Sequence, residues 1–181
     1  MAKKEVIICV TGSVAAYKAC DLVSKLKKAG EDITVVMTKE AVEFVTPLLF
    51  ESLSANRVYC EMFKSPEVWD PLHISLAEKA DLVLIAPATA NIIAKLAHGV
   101  CDDLATCIVM ATKAPVLIAP AMNTNMYTHK ATQENIRRLK AFGYIFVGPV
   151  RGRLACGLVG PGHIADTDII LKEAERLLKK Q

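Results

Sequence analysis

Three segments of this chain are apolar without interruption: Val6-Ile7-Ile8-Cys9-Val10, Leu82-Val83-Leu84-Ile85-Ala86 and Val116-Leu117-Ile118-Ala119. A fourth, Asp32-Ile33-Thr34-Val35-Val36-Met37, is nearly so. A strand with one wet face alternates polar and apolar residues, whereas a continuous run marks a strand covered on both faces, as in a parallel sheet. An edge strand is predicted around Arg57–Cys60 and a last major strand over Tyr144–Val147. Between these runs the apolar spacing changes to the helical period. Helices are predicted from Ser13 to about Ala29, after Lys39 to about Val45, over Leu48–Leu53, over His73–Ala77, after Asn91 to about His98, and from about Asp103 through Ala111. Two more follow, one over Ala131–Phe142 ended by Gly143 and one closing the chain after a cap at Asp166. Five parallel strands, or six, joined by helices predict an α/β fold, a three-layer Rossmann-like or flavodoxin-like sheet with helices on both faces. The stretch Gly148 to Gly162 differs, with five glycines, two prolines and no helical period, and is predicted to form a flexible substrate flap.

In open α/β sheets ligands bind beyond the carboxyl ends of the strands, so the residues just past each apolar run carry the candidate chemistry. After the first run comes Thr11-Gly12-Ser13-Val14-Ala15-Ala16. Gly12 permits close backbone approach, and Ser13 caps a helix whose free N–H groups attract an anion; an ordinary capped turn reads the same way. The second strand ends in Met37-Thr38-Lys39, where a nicotinamide dinucleotide site usually has an acidic residue for ribose hydroxyls. A hydroxyl and a cation suit a phosphate better, so a mononucleotide is preferred, with Glu40 keeping the dinucleotide alternative open. Phe44 is either core or a flat surface against a ring.

Pro87-Ala88-Thr89-Ala90-Asn91 follows the Leu82 run, its small residues again allowing close approach, and Thr89 is either a cap or a ligand for an anion or a ring edge. Asp103 is either a helix cap or a ligand. The stretch Pro120-Ala121-Met122-Asn123-Thr124-Asn125-Met126-Tyr127 begins where a buried strand is expected to stop at Pro120. Asn123 and Asn125 either cap the helix expected near Thr128 or present amides to a substrate carboxylate. His73 is a surface or capping residue unless the fold brings it to a ligand, when it becomes a base. Trp69, in the loop Lys64–Pro71, either staples that loop or marks a binding surface.

Length and composition narrow the classes further. A chain of 181 residues, 52% hydrophobic and 23% charged, suits one soluble domain spanning 1–181. A net charge of +3 with no basic stripe gives no reason to expect nucleic acid. The first apolar run is far too short for a membrane span or a signal-peptide core, so no membrane partner is expected and a cytoplasmic location is. Six cysteines at 9, 20, 60, 101, 107 and 156 lack the paired spacing of a zinc site, and no metal is expected. Most should be buried thiols, with Cys156 on the flap the accessible one.

Six motifs then fall in the order found in one family: Thr11-Gly12-Ser13-Val14-Ala15-Ala16, His73-Ile74-x-Leu76, Ala86-Pro87-Ala88-Thr89-Ala90-Asn91, Gly99-x-x-x-Asp103-Leu104, Pro120-Ala121-Met122-Asn123-x-x-Met126 and Ala155-Cys156-Gly157. Together they resemble the homo-oligomeric flavin-containing cysteine decarboxylases over nearly the whole chain. Tyr127 departs from the Trp that commonly ends the family's asparagine motif, and keeps the ring. The resemblance implies FMN at a subunit boundary, with Gly12, Ser13, Val14, Thr38, Phe44, Pro87, Ala88, Thr89, Ala90 and Ala121 at flavin positions. It implies that His73 and Cys156 are catalytic, that Asn123 grips the substrate carboxylate, and that Met126 and Ala155 also contact substrate.

The activity so implied is that of a carboxy-lyase: FMN-dependent decarboxylation of 4'-phosphopantothenoylcysteine to 4'-phosphopantetheine in coenzyme A biosynthesis. The route passes through a thioaldehyde, which provides an electron sink, and an enethiolate, to which Cys156 gives a proton. His73 acts in the first half, as base or as orienting group. A homotrimer or a multiple of trimers is implied. So is a separate phosphopantothenate–cysteine ligase, because bifunctional relatives continue into such a domain where this chain has one closing helix. Alternatives are a peptidyl-cysteine oxidative decarboxylase, which Cys156 argues against, a flavin prenyltransferase of the same fold, and a non-enzymatic flavin-binding regulatory subunit.

Overall fold

The computed structural model describes residues 3–63 and 71–180. Six parallel strands form its central sheet: β1 (Glu5–Val10), β2 (Asp32–Met37), β3 (Val58–Tyr59), β4 (Leu82–Ala88), β5 (Val116–Pro120) and β6 (Ile145–Phe146). Their order is β3-β2-β1-β4-β5-β6. Every residue of β4 and β5 is buried, which is why their sequences are continuous and apolar. Successive side chains of β1 go to opposite faces and found two cores. Val6, Ile8 and Val10 pack with α1 (Tyr17–Lys28), α3 (Pro47–Ser54) and α9 (Thr167–Leu178). Ile7 and Cys9 pack with α4 (Leu72–Lys79), α5 (Ala90–His98), α6 (Leu104–Ala111) and α8 (Lys130–Ala141). The three-layer α/β architecture expected from the strand runs is the one observed. No described helix is long and apolar enough to cross a membrane.

Helix α1 shows the local logic. Ala19, Leu22, Val23 and Leu26 recur at helical spacing and are fully buried, while Lys25, Lys27 and Lys28 sit in the last turn, where the helix dipole favours cations. Gly30, at φ +96°, lets the chain turn back into β2.

Several expectations are corrected. The helix after β2 is only α2 (Lys39–Val42), which leaves Phe44 off it. Pro47 holds Thr46 extended at φ −74° and ψ 144°, so the chain breaks before α3. β4 runs two residues past Ala86, so Pro87 and Ala88 are buried strand residues. β5 includes Pro120, which pairs with Ala88. The next helix, α7 (Thr124–Thr128), starts four residues earlier than expected. Asp166 occupies the N-cap position of α9 but makes no side-chain capping bond. Only Cys9 among the cysteines is fully buried; Cys20, Cys60 and Cys107 are half-buried, and Cys101 is exposed as Cys156 is. Trp69 and the loop around it lie outside the described residues.

The flap is regular structure. It forms an antiparallel hairpin of β7 (Val150–Arg153) and β8 (Val159–His163), with Arg153 opposite Val159. Its base is tied to the end of β5 by the Met122 N–H donating to the Gly162 carbonyl at 3.0 Å. Gly162 has φ +126°, and a Cβ there would stand 2.2 Å from the Met122 carbonyl oxygen. Both facts require glycine.

Candidate active site

The strand order reverses between β1 and β4, and at such a switch point the two strand ends part to leave a crevice. Thr11, 2% exposed, fastens this crevice. Its hydroxyl donates to the Pro87 carbonyl at 2.7 Å and accepts from the Thr89 N–H at 3.2 Å. A cleft of about 260 Å³ opens here, lined by Thr11, Gly12, Thr38, Glu40, Thr89, Asn91, Ile92, Asp103 and Met126. Gly12 is needed for a protein contact: a Cβ on it would meet the Glu40 Cβ at 2.4 Å. Asp103 closes a capping box on α6 and pairs with Lys95 Nζ at 3.0 Å, while Asp102 pairs with the same ammonium at 2.7 Å. Burial opposes the charge on Lys95, but the two carboxylates raise its pKa, and the Lys95 bond holds the Asp102 carboxyl below its usual range.

Three hydroxyls stand at these loops. Ser13 accepts from the Ala15 N–H at 3.3 Å, Thr38 from the Ala41 N–H at 3.4 Å, and Thr89 from the Ile92 N–H at 3.3 Å. A capping hydroxyl of this kind spends a lone pair and keeps its own proton for another acceptor. The phosphate oxygens, carbonyls and ring nitrogens of FMN are acceptors, so this donor set fits that cofactor.

A larger cleft, about 640 Å³, lies between the start of α1, the end of β5 and the hairpin. Ser13, Val14, Tyr17 and Lys18 form one wall, Ala121, Met122 and Asn123 the floor, and Arg153 to Cys156 with Gly162 to Ile164 the hairpin side. Asn123 takes the capping alternative and still keeps an amide donor in the cleft. Its Oδ1 accepts from the Asn125 N–H at 2.8 Å, capping α7, which leaves Nδ2 as a donor 3.5 Å from Cys156 Sγ. The hairpin turn Leu154–Leu158 is closed by the Leu154 N–H donating to the Leu158 carbonyl at 2.8 Å, which presents the exposed thiol. Burial raises the Cys9 thiol to about 12, removing it from nucleophilic or acid–base chemistry near neutrality.

The sequence-nominated residues therefore divide. Asn123, Ala155 and Cys156 share the larger cleft with Ser13, Val14 and Ala121. Gly12, Thr38 and Thr89 share the smaller one with Met126. Pro87 and Ala88 have buried side chains and offer a ligand only backbone; Ala90, Phe44 and Asn125 line neither cleft. His73, half-buried on α4, also lines neither, and α4 packs on the sheet face opposite α1. Sequence reading passed over Thr11, Tyr17, Lys18, Arg153 and His163. Thr11 was legible as the last residue before Gly12, whereas the others meet only through the hairpin's return.

The match to a protein-family model described as Flavoprotein runs over residues 1–179. The chain is 48% identical to the "Coenzyme A biosynthesis bifunctional protein CoaBC" of Bacillus subtilis across 96% of its own length, but spans only 43% of that relative. It is 45% identical to the "Probable phosphopantothenoylcysteine decarboxylase" of Streptococcus mutans, covering 97% of this chain and 99% of that one. Among solved structures it superposes with a TM-score of 0.88 and 33% identity on a cysteine-to-serine variant of a PPC decarboxylase complexed with pantothenoylaminoethenethiol, covering 99% of this chain and 100% of that one. It superposes at 0.87 and 29% identity on the FMN-dependent cysteine decarboxylase SpaF, covering 99% and 97%. With the family model matched from end to end and a full-length relative at that identity, the chain belongs to the flavoprotein family.

Proposed function

We propose that the chain is an FMN-dependent carboxy-lyase that converts 4'-phosphopantothenoylcysteine to 4'-phosphopantetheine in coenzyme A biosynthesis, in the cytoplasm. The observation that carries this reading is the pairing of the Asn123 amide with the Cys156 thiol in a cleft that shares Ser13 with the flavin-type loops. The Ser13, Thr38 and Thr89 hydroxyls would hold the cofactor's acceptor atoms, and Gly12, Val14, Ala121 and the Pro87–Ala88 backbone would border it. When bound, FMN supplies reversible two-electron oxidation at the carbon bearing the substrate sulfur.

The protein's own groups do the rest. Asn123 Nδ2 donates to the substrate carboxylate and orients it until it departs as CO2, with Met126 and Ala155 confining the chain beside it. Cys156 Sγ–H then gives its proton to the carbon left behind, and the saturated thiol is completed by the hydride equivalent that bound FMN would return to the sulfur-bearing carbon. His73 serves the first half as base or orienting group. It lines neither cleft of its own chain, which supports a site at a boundary between copies, in a homotrimer or a multiple of trimers. The smaller cleft, at about 260 Å³, is also below the usual span of a pocket enclosing a ligand by itself, about 300–1,000 Å³.

The test is cofactor content and product together. Purified protein should release FMN in about one-to-one ratio and turn phosphopantothenoylcysteine into the saturated thiol. A protein that neither holds nor takes up flavin overturns the reading. Conversion that stops at the unsaturated thiol replaces it with a peptidyl-cysteine oxidative type of chemistry.

A further inference from the structure

The larger cleft carries a charge pattern that decarboxylation does not use. Three basic side chains line it, Lys18 from the first turn of α1, Arg153 at the end of β7 and His163 at the end of β8, and no Asp or Glu does. Lys18 and Arg153 form no ion pair among the described residues, although Lys4, Lys25, Lys27, Lys39, Lys95, Arg137 and Arg176 do. His163 is held in place. Its Nδ1–H donates to the Ile164 carbonyl at 2.8 Å, and its ring lies against Gly152, where a Cβ would come within 2.9 Å of Cγ. That bond occupies Nδ1 and leaves Nε2 as the free ring atom, an acceptor in the neutral ring and a donor to an anion only when the ring carries both protons.

Unpaired cations gathered in a ligand cleft without a counter-charge call for an anionic ligand. The carboxylate end is already answered by Asn123, so a second anionic group is what these residues fit. We propose that Lys18 and Arg153, which line one cleft with His163, form a phosphomonoester subsite that binds the phosphate end of the substrate and sets the preference for phosphorylated over unphosphorylated pantothenoyl compounds. The inference rests on the proposed reaction. A phosphomonoester is close to dianionic at neutral pH, and Arg offers it a planar fork while Lys offers a point charge. Because Arg153 and the Cys156 turn belong to one hairpin, the phosphate contact also seats the thiol over the reacting end.

The product isolates this contact, since 4'-phosphopantetheine has lost the carboxylate and the phosphate is its only charge. Calorimetry on the FMN-loaded protein should show 4'-phosphopantetheine binding more tightly than pantetheine. Arg153→Leu and Lys18→Met should each weaken the phosphorylated ligand about ten- to a hundredfold, as loss of a charge-assisted hydrogen bond does, and leave pantetheine unchanged. Arg153→Lys should restore part of the loss. Steady-state kinetics should show kcat/KM for phosphopantothenoylcysteine falling with it, while that for pantothenoylcysteine holds. Equal weakening of both ligands, or no weakening of either, overturns the subsite while leaving the decarboxylase reading intact. A wild-type protein that turns over neither substrate overturns that reading, and the subsite with it.

Discussion

The proposed reaction gives the two ends of the Asn123 amide different jobs, and a single substitution separates them. Aspartate keeps an oxygen for the Asn125 N–H and is an equally good cap, so α7 should form and FMN should stay bound. It also places a negative charge where the proposed reaction puts the substrate carboxylate, and removes the amide donor. Asn123→Asp should therefore lower kcat/KM on the order of a hundredfold or more, with an unchanged flavin spectrum, and near-normal turnover would remove Asn123 from the site. Cys156→Ser is expected to split the reaction. It should still release CO2, but a serine hydroxyl is a far weaker acid than a thiol, so an unsaturated thiol should accumulate with bleached flavin. Saturated product at the normal rate would make Cys156 a bystander. Both residues could be nominated from sequence, Asn123 as cap or donor and Cys156 as the accessible thiol, but their roles came from the family resemblance. The link between them was not legible, since the 3.5 Å contact joins positions 33 residues apart.

At the scale of elements, the continuous runs of β1, β4 and β5 could be read from sequence because burial on both faces leaves no other composition. The hairpin could not, because Val150-Arg151-Gly152-Arg153 and Val159-Gly160-Pro161-Gly162-His163 owe their pairing to backbone bonds and to seats for missing side chains. One seat is Gly160, where a Cβ would lie 2.4 Å from Thr124 Oγ1 on α7. That hydroxyl is buried and has no partner among the described residues. Gly160→Ala should cost about 1–3 kcal/mol of stability through overpacking, read as a lowered Tm. Thr124→Ala deletes an unsatisfied group, so alone it should be near neutral, and in combination it should recover part of the Gly160→Ala loss. Additive effects would mean the two do not meet.

Asp32 gives a pH dependence at the start of β2. The Asn56 amide, bonded at 2.9 Å, and secondarily Lys27 hold its carboxyl below the usual range. A depressed folded pKa means the native state binds fewer protons there, so the contribution is present above the unfolded carboxylate range and fades as pH falls through the folded value. With the side chain 44% exposed it is worth under about 1 kcal/mol, and Asp32→Asn should make the acid side of the Tm–pH profile slightly flatter. An unchanged slope would mean solvent screens it fully.

At the scale of the molecule, the sheet separates residues that the proposed reaction joins. Cys156 and Asn123 lie in the cleft beside α1, while His73 lies on α4, against the other face. Large apolar residues stand open on the same chain, including Leu48 at 69% and Phe63 at 91% exposure. Cover by a neighbouring copy would take such side chains out of water. In a ring with head-to-tail contacts, each site would take its histidine from one copy and its cysteine and asparagine from the next. That arrangement has a consequence no single-chain site shares. His73→Asn alone should lose CO2 release, and Cys156→Ser alone should stop at the unsaturated thiol. Co-expressed in equal amounts so that mixed assemblies form, they should make saturated thiol again, because roughly a quarter of the boundaries in a random mixture bring an intact His73 to an intact Cys156. Recovery should vanish when the two variants are purified separately and mixed without exchange of subunits. If a site uses both residues from one chain, every site in the mixed assembly carries one lesion. Co-expression would then yield no more saturated thiol than the sum of the two variants assayed apart, and the boundary reading would fall.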